Sequence, residues 1–259
     1  MTSKFHGKRV HKLYSDEFGY LAKSSKGLLP EFPRIPHVSI RIPQQDPENV
    51  EDFIGYEWSS KYPDLCLIEE KLDGANCAMS LIGENPLIRN RTNIINKGYV
   101  KKSTPAKLQF RPIWNWFYEN KDKFKHINDL LGPVSIYGEW LWALHGIVYD
   151  ELPDYFIAYE VFSHEKKHFI NPLLSRDALN KVGFSVAPLL HIGEINIDQL
   201  EGYTSTKSAF GPDLVEGVCI KYWEVKDGPI TRRQKLLRNG YVQGCNWSED
   251  KIIKQKLKK

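Results

Sequence analysis

From residue 65 to residue 89 the chain alternates three short β-prone runs with two turn signals, and this spacing reads as a meander of antiparallel strands. Residues 65–68 are apolar and run straight into Glu69-Glu70-Lys71. Asp73-Gly74 marks a turn, residues 77–82 read as a strand, Gly83-Glu84-Asn85-Pro86 is a second turn, and residues 87–89 return to strand. Charged side chains where an apolar strand ends sit at the mouth of a sheet, so the chemistry is expected to begin there.

The remainder mixes both periodicities. Aromatic and charged residues over 111–131 recur at helical spacing and stop at Gly132-Pro133, after which residues 134–137 resume strand character. Residues 155–162 are strongly β-prone, residues 172–182 predict a helix ended by Gly183, and residues 215–223 predict a strand with Gly217 inside it. Ahead of the meander, Val38-Ser39-Ile40-Arg41-Ile42 alternates as a strand, and residues 47–59 alternate acidic and apolar residues at helical spacing. Ser248 can cap a final amphipathic helix holding Ile252, Ile253 and Leu257. No internal repeat or low-complexity linker interrupts this, and the expected fold is α+β. Its parts are an N-terminal extension or small module over 1–45, one principal domain over 46–244 and a basic C-terminal helix over 245–259.

At 259 residues with 41% apolar and 26% charged side chains, the chain can bury a substantial core. The net charge of +4 is modest, but basic residues gather up to Lys12, over 231–238 and over 251–259. Such runs fit a polyanionic partner and equally a solvated face. Cys66, Cys77, Cys219 and Cys245 show no paired spacing, which disfavours a zinc knuckle or a disulfide framework and fits an intracellular, reducing compartment. No stretch has signal-peptide or bilayer-spanning length. A soluble cytoplasmic protein, without membrane partners and monomeric, is the expectation.

The strongest local signal is Glu70-Lys71-Leu72-Asp73-Gly74-Ala75-Asn76. Lys-x-Asp-Gly alone is weak, but further elements follow in order: Arg91, Tyr137-Gly138-Glu139, residues 156–162, Glu216-Gly217-Val218-Cys219-Ile220-Lys221, and Arg233-Gln234-Lys235. As an ordered set over residues 65–238, these resemble the sequential motifs of the covalent nucleotidyltransferase superfamily, the lysine-adenylylating ligases and capping enzymes. Asn76, five positions after Lys71, replaces the arginine of DNA ligases and capping enzymes. The chain thereby resembles the ATP-dependent RNA ligases of the phage and kinetoplastid type, and the steps from Lys71 to Arg91 and from Glu139 to Tyr159 match theirs.

The resemblance implies an antiparallel-sheet nucleotidyltransferase core without a sizeable C-terminal domain, and an enzyme that joins 5′-phosphate and 3′-hydroxyl ends of RNA through a lysyl-AMP intermediate. ATP and Mg2+ or Mn2+ are the implied cofactors, and RNA, or a nicked RNA/DNA duplex, the partner. Lys71 would be the nucleophile, with Lys221, Lys235 and Glu216 as further catalytic groups. Glu70, Leu72, Asp73, Asn76, Arg91, Glu139, Tyr159 and Arg233 would join them around the nucleotide, Tyr159 in preference to Phe156 as the adenine platform, and Glu216 would ligate the metal. A lysine amine must be unprotonated to attack phosphorus, whereas its ordinary pKa is about 10.4, so ~4 kcal/mol of differential interaction is required near neutrality. Desolvation, a divalent cation and the ammonium groups of Lys221 and Lys235 are the expected sources.

Two departures stand out. Arg233 occupies a position where the family offers a lysine, and arginine neither deprotonates nor shares lysine's shape. Few residues follow Lys235, so nucleic-acid docking is expected to use the core, the leading extension or a partner. A DNA or hybrid nick-sealing enzyme is the alternative within this chemistry. From another class, His164-Glu165-Lys166-Lys167-His168 satisfies the His-Glu-x-x-His pattern of a zinc metalloprotease with His164, Glu165 and His168. That pattern binds zinc only on a helix, and here a β-prone run precedes it and Asn171-Pro172 follows, so a polar hairpin turn is the preferred reading.

Overall fold

The computed structural model describes residues 29–38, 66–96, 99, 104–242 and 252–259. The strand expected over 38–42, apart from Val38, the helix over 47–59 and the cap at Ser248 lie outside the described residues. The strands are β1 (Cys66–Lys71), β2 (Ala75–Ile82), β3 (Asn85–Asn90), β4 (Val134–Trp140), β5 (Phe156–Ser163), β6 (His168–Phe169), β7 (Leu189–Ile192), β8 (Gly217–Tyr222) and β9 (Arg232–Leu237). They form two sheets, one in the order β7-β1-β8-β9 and one in the order β3-β2-β4-β5-β6, with every neighbour antiparallel. The helices are α1 (Pro105–Leu108), α2 (Ile113–Glu119), α3 (Lys121–Leu131), α4 (Pro172–Lys181) and α5 (Ile197–Tyr203). The fold is therefore α+β, built on antiparallel sheets.

The two-residue period of each strand divides its side chains between faces. On the four-stranded sheet, Cys66 and Ile68 of β1, Val218 and Ile220 of β8 and Leu236 of β9 pack with Ile195 and Leu200 into one cluster. The intervening Glu69 and Lys71, Cys219 and Lys221, and Lys235 line a common cavity instead. On the five-stranded sheet, Cys77, Met79, Ile136, Trp140, Phe156 and Val161 join Trp116, Phe117 and Phe124 of the helices in the largest core cluster. Fully burying such a side chain contributes about 1.5–3 kcal/mol, so the helical face fixes the sheet and leaves its other face to the cavity.

The meander appears as expected, and the turn after β1 requires its glycine: a Cβ on Gly74 would lie 2.8 Å from the Trp140 carbonyl oxygen. The long helix expected over 111–131 is two helices that meet at Asn120. The Asn120 side-chain amide donates to the Trp116 carbonyl at 2.9 Å, a competition for backbone acceptors that makes asparagine a poor helix interior. α4 begins as expected, with the Asn171 side chain accepting from the Leu173 and Leu174 N–H groups and Pro172 in the first turn, and it stops just before Gly183, whose φ is +84°.

The expected C-terminal helix is corrected where the chain is described. Residues 252–259 are not helical; Lys254 bridges Ala143 and Leu257 bridges Leu152. A helix so short is marginal in water, whereas here backbone N–H groups find carbonyl partners along the β4–β5 loop, among them Gln255 N–H to Trp142 O at 3.0 Å. Residues 29–38 likewise lie along the core: Val38 N–H donates to Lys235 O and Lys235 N–H to Pro36 O. Among the described residues, no helix is long and apolar enough to cross a membrane.

Candidate active site

A cavity of about 480 Å³ opens between the two sheets. β1 and the turn after it deliver Glu70, Lys71, Leu72 and Asp73; β2 delivers Asn76, β4 Glu139, β5 Tyr159, β8 Lys221 with Glu216 just ahead of it, and β9 Lys235. Arg91 lies at the exposed mouth, in the loop after β3. The structure thus gathers every expected site residue around one cavity except Arg233.

Lys71 sits at the centre. Its Nζ lies 2.6 Å from Glu216 Oε1, with the lysine side chain 23% exposed and the glutamate 3%. Burial by itself would favour the neutral amine, but Glu216, aided by Cys219 and Glu139, outweighs it and holds the proton on Lys71 more tightly than usual. This corrects the expectation that neighbouring ammonium groups loosen that proton. Lys221 is itself neutralised, with Nζ 2.5 Å from Glu69 and 3.9 Å from Glu160 and donating to the Tyr159 carbonyl at 2.6 Å. The carboxyls respond in kind: burial pushes Glu139 up to about 8 and Glu216 up to about 7, with Lys71 opposing both shifts and the Asp73 charge adding to both.

Asp73 is held by backbone. Its Oδ2 accepts from the Gly146 and Ile147 N–H groups at 2.6 and 3.0 Å, and its own N–H donates to the Tyr149 hydroxyl at 2.9 Å. Glu70 turns away to Ser208 Oγ at 2.5 Å and Ala209 N–H at 3.0 Å.

Tyr159 owes its place to a β-bulge. Tyr137 pairs with Glu160 and Gly138 with Ala158, so Tyr159 is the extra residue of β5, and both it and Glu160 line the cavity. Its hydroxyl accepts from the Asn76 side-chain amide, and its ring packs edge-on against Phe32, 5.3 Å between centroids. Phe156, the other candidate platform, is fully buried on the helical face beside Trp116.

Arg233 is engaged elsewhere. Nε and NH2 both donate to Glu160, the shorter contact 2.6 Å, and the guanidinium lies 4.3 Å from the centroid of the Phe169 ring. This bidentate geometry suits arginine and not lysine, which accounts for the departure at this position. Residues that sequence reasoning passed over also line the cavity, notably Phe32, Glu69, Gln109, Glu160 and Cys219. Strand alternation from Lys71 and Lys221 could have found Glu69 and Cys219; nothing local marks the others.

The residues suit a lightly coordinated hard cation. Glu216 Oε2 is buried with no hydrogen-bond partner, and magnesium keeps most of its waters and takes few carboxylates. Among the described residues no group of three His, Cys, Asp or Glu could hold a metal alone. The His-Glu-x-x-His pattern lies at the β5–β6 hairpin, with His164 Nε2 2.6 Å from Ser135 Oγ, and so lacks the helix that zinc binding by it requires.

Comparison with known proteins gives the same picture. The RNA ligase family model matches residues 64–236, more than half of the chain. No curated protein matches. Among solved structures, the RNA ligase of Naegleria gruberi matches as a lysine-to-alanine variant with ATP and Mn, at 14% identity over 68% of this chain and 50% of that one with a TM-score of 0.51. Its complex with PPi matches at 15% identity over the same shares with a TM-score of 0.52. An arginine-to-alanine variant with ATP and Mn matches at 16% identity over 90% of this chain and 70% of that one, TM-score 0.52. The chain spans about half the length of the first two, and at these identities the likeness is one of fold. Taken with the family match and the cavity around Lys71, it leads to one statement: this chain belongs to the RNA ligase family.

Proposed function

We propose that the chain is an ATP-dependent RNA ligase that acts through a lysyl-AMP intermediate on Lys71. The contact that carries the reading is the ion pair between Lys71 and Glu216, set in a cavity that also holds Glu139, Asp73, Lys235 and Tyr159. In the first step the Lys71 nitrogen bonds to the α-phosphorus of ATP while the bond from that phosphorus to the bridging oxygen breaks and pyrophosphate leaves. The amine must shed its proton first; in the nucleotide-free cavity the Glu216 charge holds that proton, and a divalent cation drawn to Glu216 would weaken the hold.

The other roles follow from what the nucleotide presents. The Tyr159 face offers adenine a stacking surface, and Glu139 can accept from ribose hydroxyls. Lys235, whose charge already acts on Glu216, is suited to the α-phosphate, and Arg91 at the mouth to phosphate or ribose. Lys221, its charge met by Glu69 and Glu160, supports the stacking residue through its bond to the Tyr159 carbonyl. A divalent cation such as Mg2+ or Mn2+ at Glu216 Oε2 would supply neutralisation of phosphate charge. AMP then passes to an RNA 5′-phosphate, and a 3′-hydroxyl displaces it to join the strands. A reducing compartment fits the free thiols of Cys66, Cys77 and Cys219, and a monomer completes the reading.

Incubation with α-labelled ATP and Mg2+ tests the first step: the wild-type chain takes up acid-labile label and Lys71→Ala does not. Ligation assays on matched nicked duplexes with ribose or deoxyribose ends then separate an RNA ligase from a DNA or hybrid sealing enzyme, and efficient sealing of all-DNA ends alone would exclude RNA as the substrate.

A further inference from the structure

Residues 252–259 lie outside the stretch matched by the family model, yet they bind the loop that holds Asp73. Only Gln255 in this segment is buried, at 4% exposure. Its Oε1 accepts from the Tyr149 N–H at 3.0 Å and its Nε2 donates to the Ile147 carbonyl at 2.7 Å. Backbone bonds flank this grip, Leu144 N–H to Ile253 O at 2.8 Å and Lys256 N–H to Tyr149 O at 3.1 Å. The same two loop residues face Asp73 from the other side, Ile147 through its N–H and Tyr149 through its hydroxyl. At Gly146 the approach is so close that a Cβ would lie 2.8 Å from Asp73 Oδ2.

A buried primary amide costs free energy unless both its donor and its acceptor are satisfied. Packing alone would be served by leucine or methionine, so an amide here implies that the exact seating of the peptide groups around residue 148 matters. Asp73 is two residues from Lys71, and its charge acts on both Glu139 and Glu216. Displacement of the loop would release the Asp73 carboxylate from its two N–H donors and alter the field at the two glutamates that face the amine.

We propose that Gln255 is a positioning residue for lysine adenylylation, acting through the loop of residues 146–149 to fix Asp73 beside Lys71. This rests on the ligase reading above. The test is Gln255→Met, which keeps chain length and volume and removes both hydrogen bonds, assayed in the full chain by single-turnover transfer of label from α-labelled ATP. The rate constant at saturating ATP falls about tenfold. The final labelled fraction and the half-saturating ATP concentration stay within about twofold, and the Gly146 and Ile147 amides exchange hydrogen at least about tenfold faster than in the wild type. A wild-type rate constant in Q255M overturns the proposal, and so does a loss confined to the labelled fraction, which marks unfolding rather than positioning. Absence of label on the wild-type protein itself would instead remove the ligase reading, and this proposal with it.

Discussion

Replacing Glu216 by glutamine removes the charge that keeps Lys71 protonated, and the size of the effect follows from the contact. Opposite unit charges 2.6 Å apart attract by about 6 kcal/mol at an effective dielectric of about 20. Against this stands burial, the largest single influence on the amine, which favours its neutral form. In the native cavity the pair with Glu216, reinforced by Cys219 and Glu139, wins. Without the Glu216 charge the weaker contributions face burial alone, and the Lys71 amine should titrate at least about two pH units below its wild-type value, since each unit corresponds to about 1.36 kcal/mol. The assay needs no activity: carbon-13 lysine labelling of the ligand-free protein, a pH titration by NMR, and assignment of the Lys71 resonance by its loss in Lys71→Met. An E216Q amine that titrates with the wild-type one would refute the reasoning, because it would mean that Glu216 is not what holds the proton.

Glu139→Gln should stabilise the fold, and more so at pH 8 than at pH 5. A carboxyl raised to about 8 by burial binds its proton more tightly when folded, so the native state loses ground as pH climbs from the unfolded value of about 4.5 through 8. Thermal melts at the two pH values should show the larger gain at the higher one, at about 2–4 °C per kcal/mol for a chain of this size. Arg233→Met should destabilise by about 3–5 kcal/mol in denaturant titration, because it leaves the buried Glu160 without its bidentate partner; pairing it with Glu160→Gln should recover most of the loss. At Tyr159, loss of the ring in the alanine variant should raise the ATP concentration for half-maximal adenylylation roughly 10- to 100-fold, from about 1–3 kcal/mol of stacking. Tyr159→Phe, which loses only the bond from Asn76, should stay within about threefold, and equal defects in the two would argue against stacking.

The sheets were legible because strand alternation and turn residues are local: Asp73-Gly74 and Gly83 punctuate the meander where the structure turns, and Lys71, Glu139, Glu216 and Lys235 converge as their order implied. What was not legible depends on contacts between distant segments. The bulge that turns both Tyr159 and Glu160 to the cavity comes from pairing with β4, and no residue of β5 announces it. The electrostatics came out reversed at Lys71 because Glu216, read from the sequence as a metal ligand, pairs directly with the amine, while Glu69 and Glu160, which had no assigned role, compensate the charge of Lys221. In residues 252–259 helix-like spacing lost to backbone pairing with the β4–β5 loop, and Gln255, one neutral side chain among lysines, gives no local sign of the grip it makes.

Mass spectrometry of the protein after incubation with ATP and Mg2+, followed by a chase with a 5′-phosphorylated nicked RNA duplex, bears on all of this at once. The account requires one adenylyl group on the peptide containing Lys71, joined through an acid-labile phosphorus–nitrogen bond and discharged by the chase as the nick is sealed. A protein that gains no mass, or that carries the group on any other residue, would contradict it.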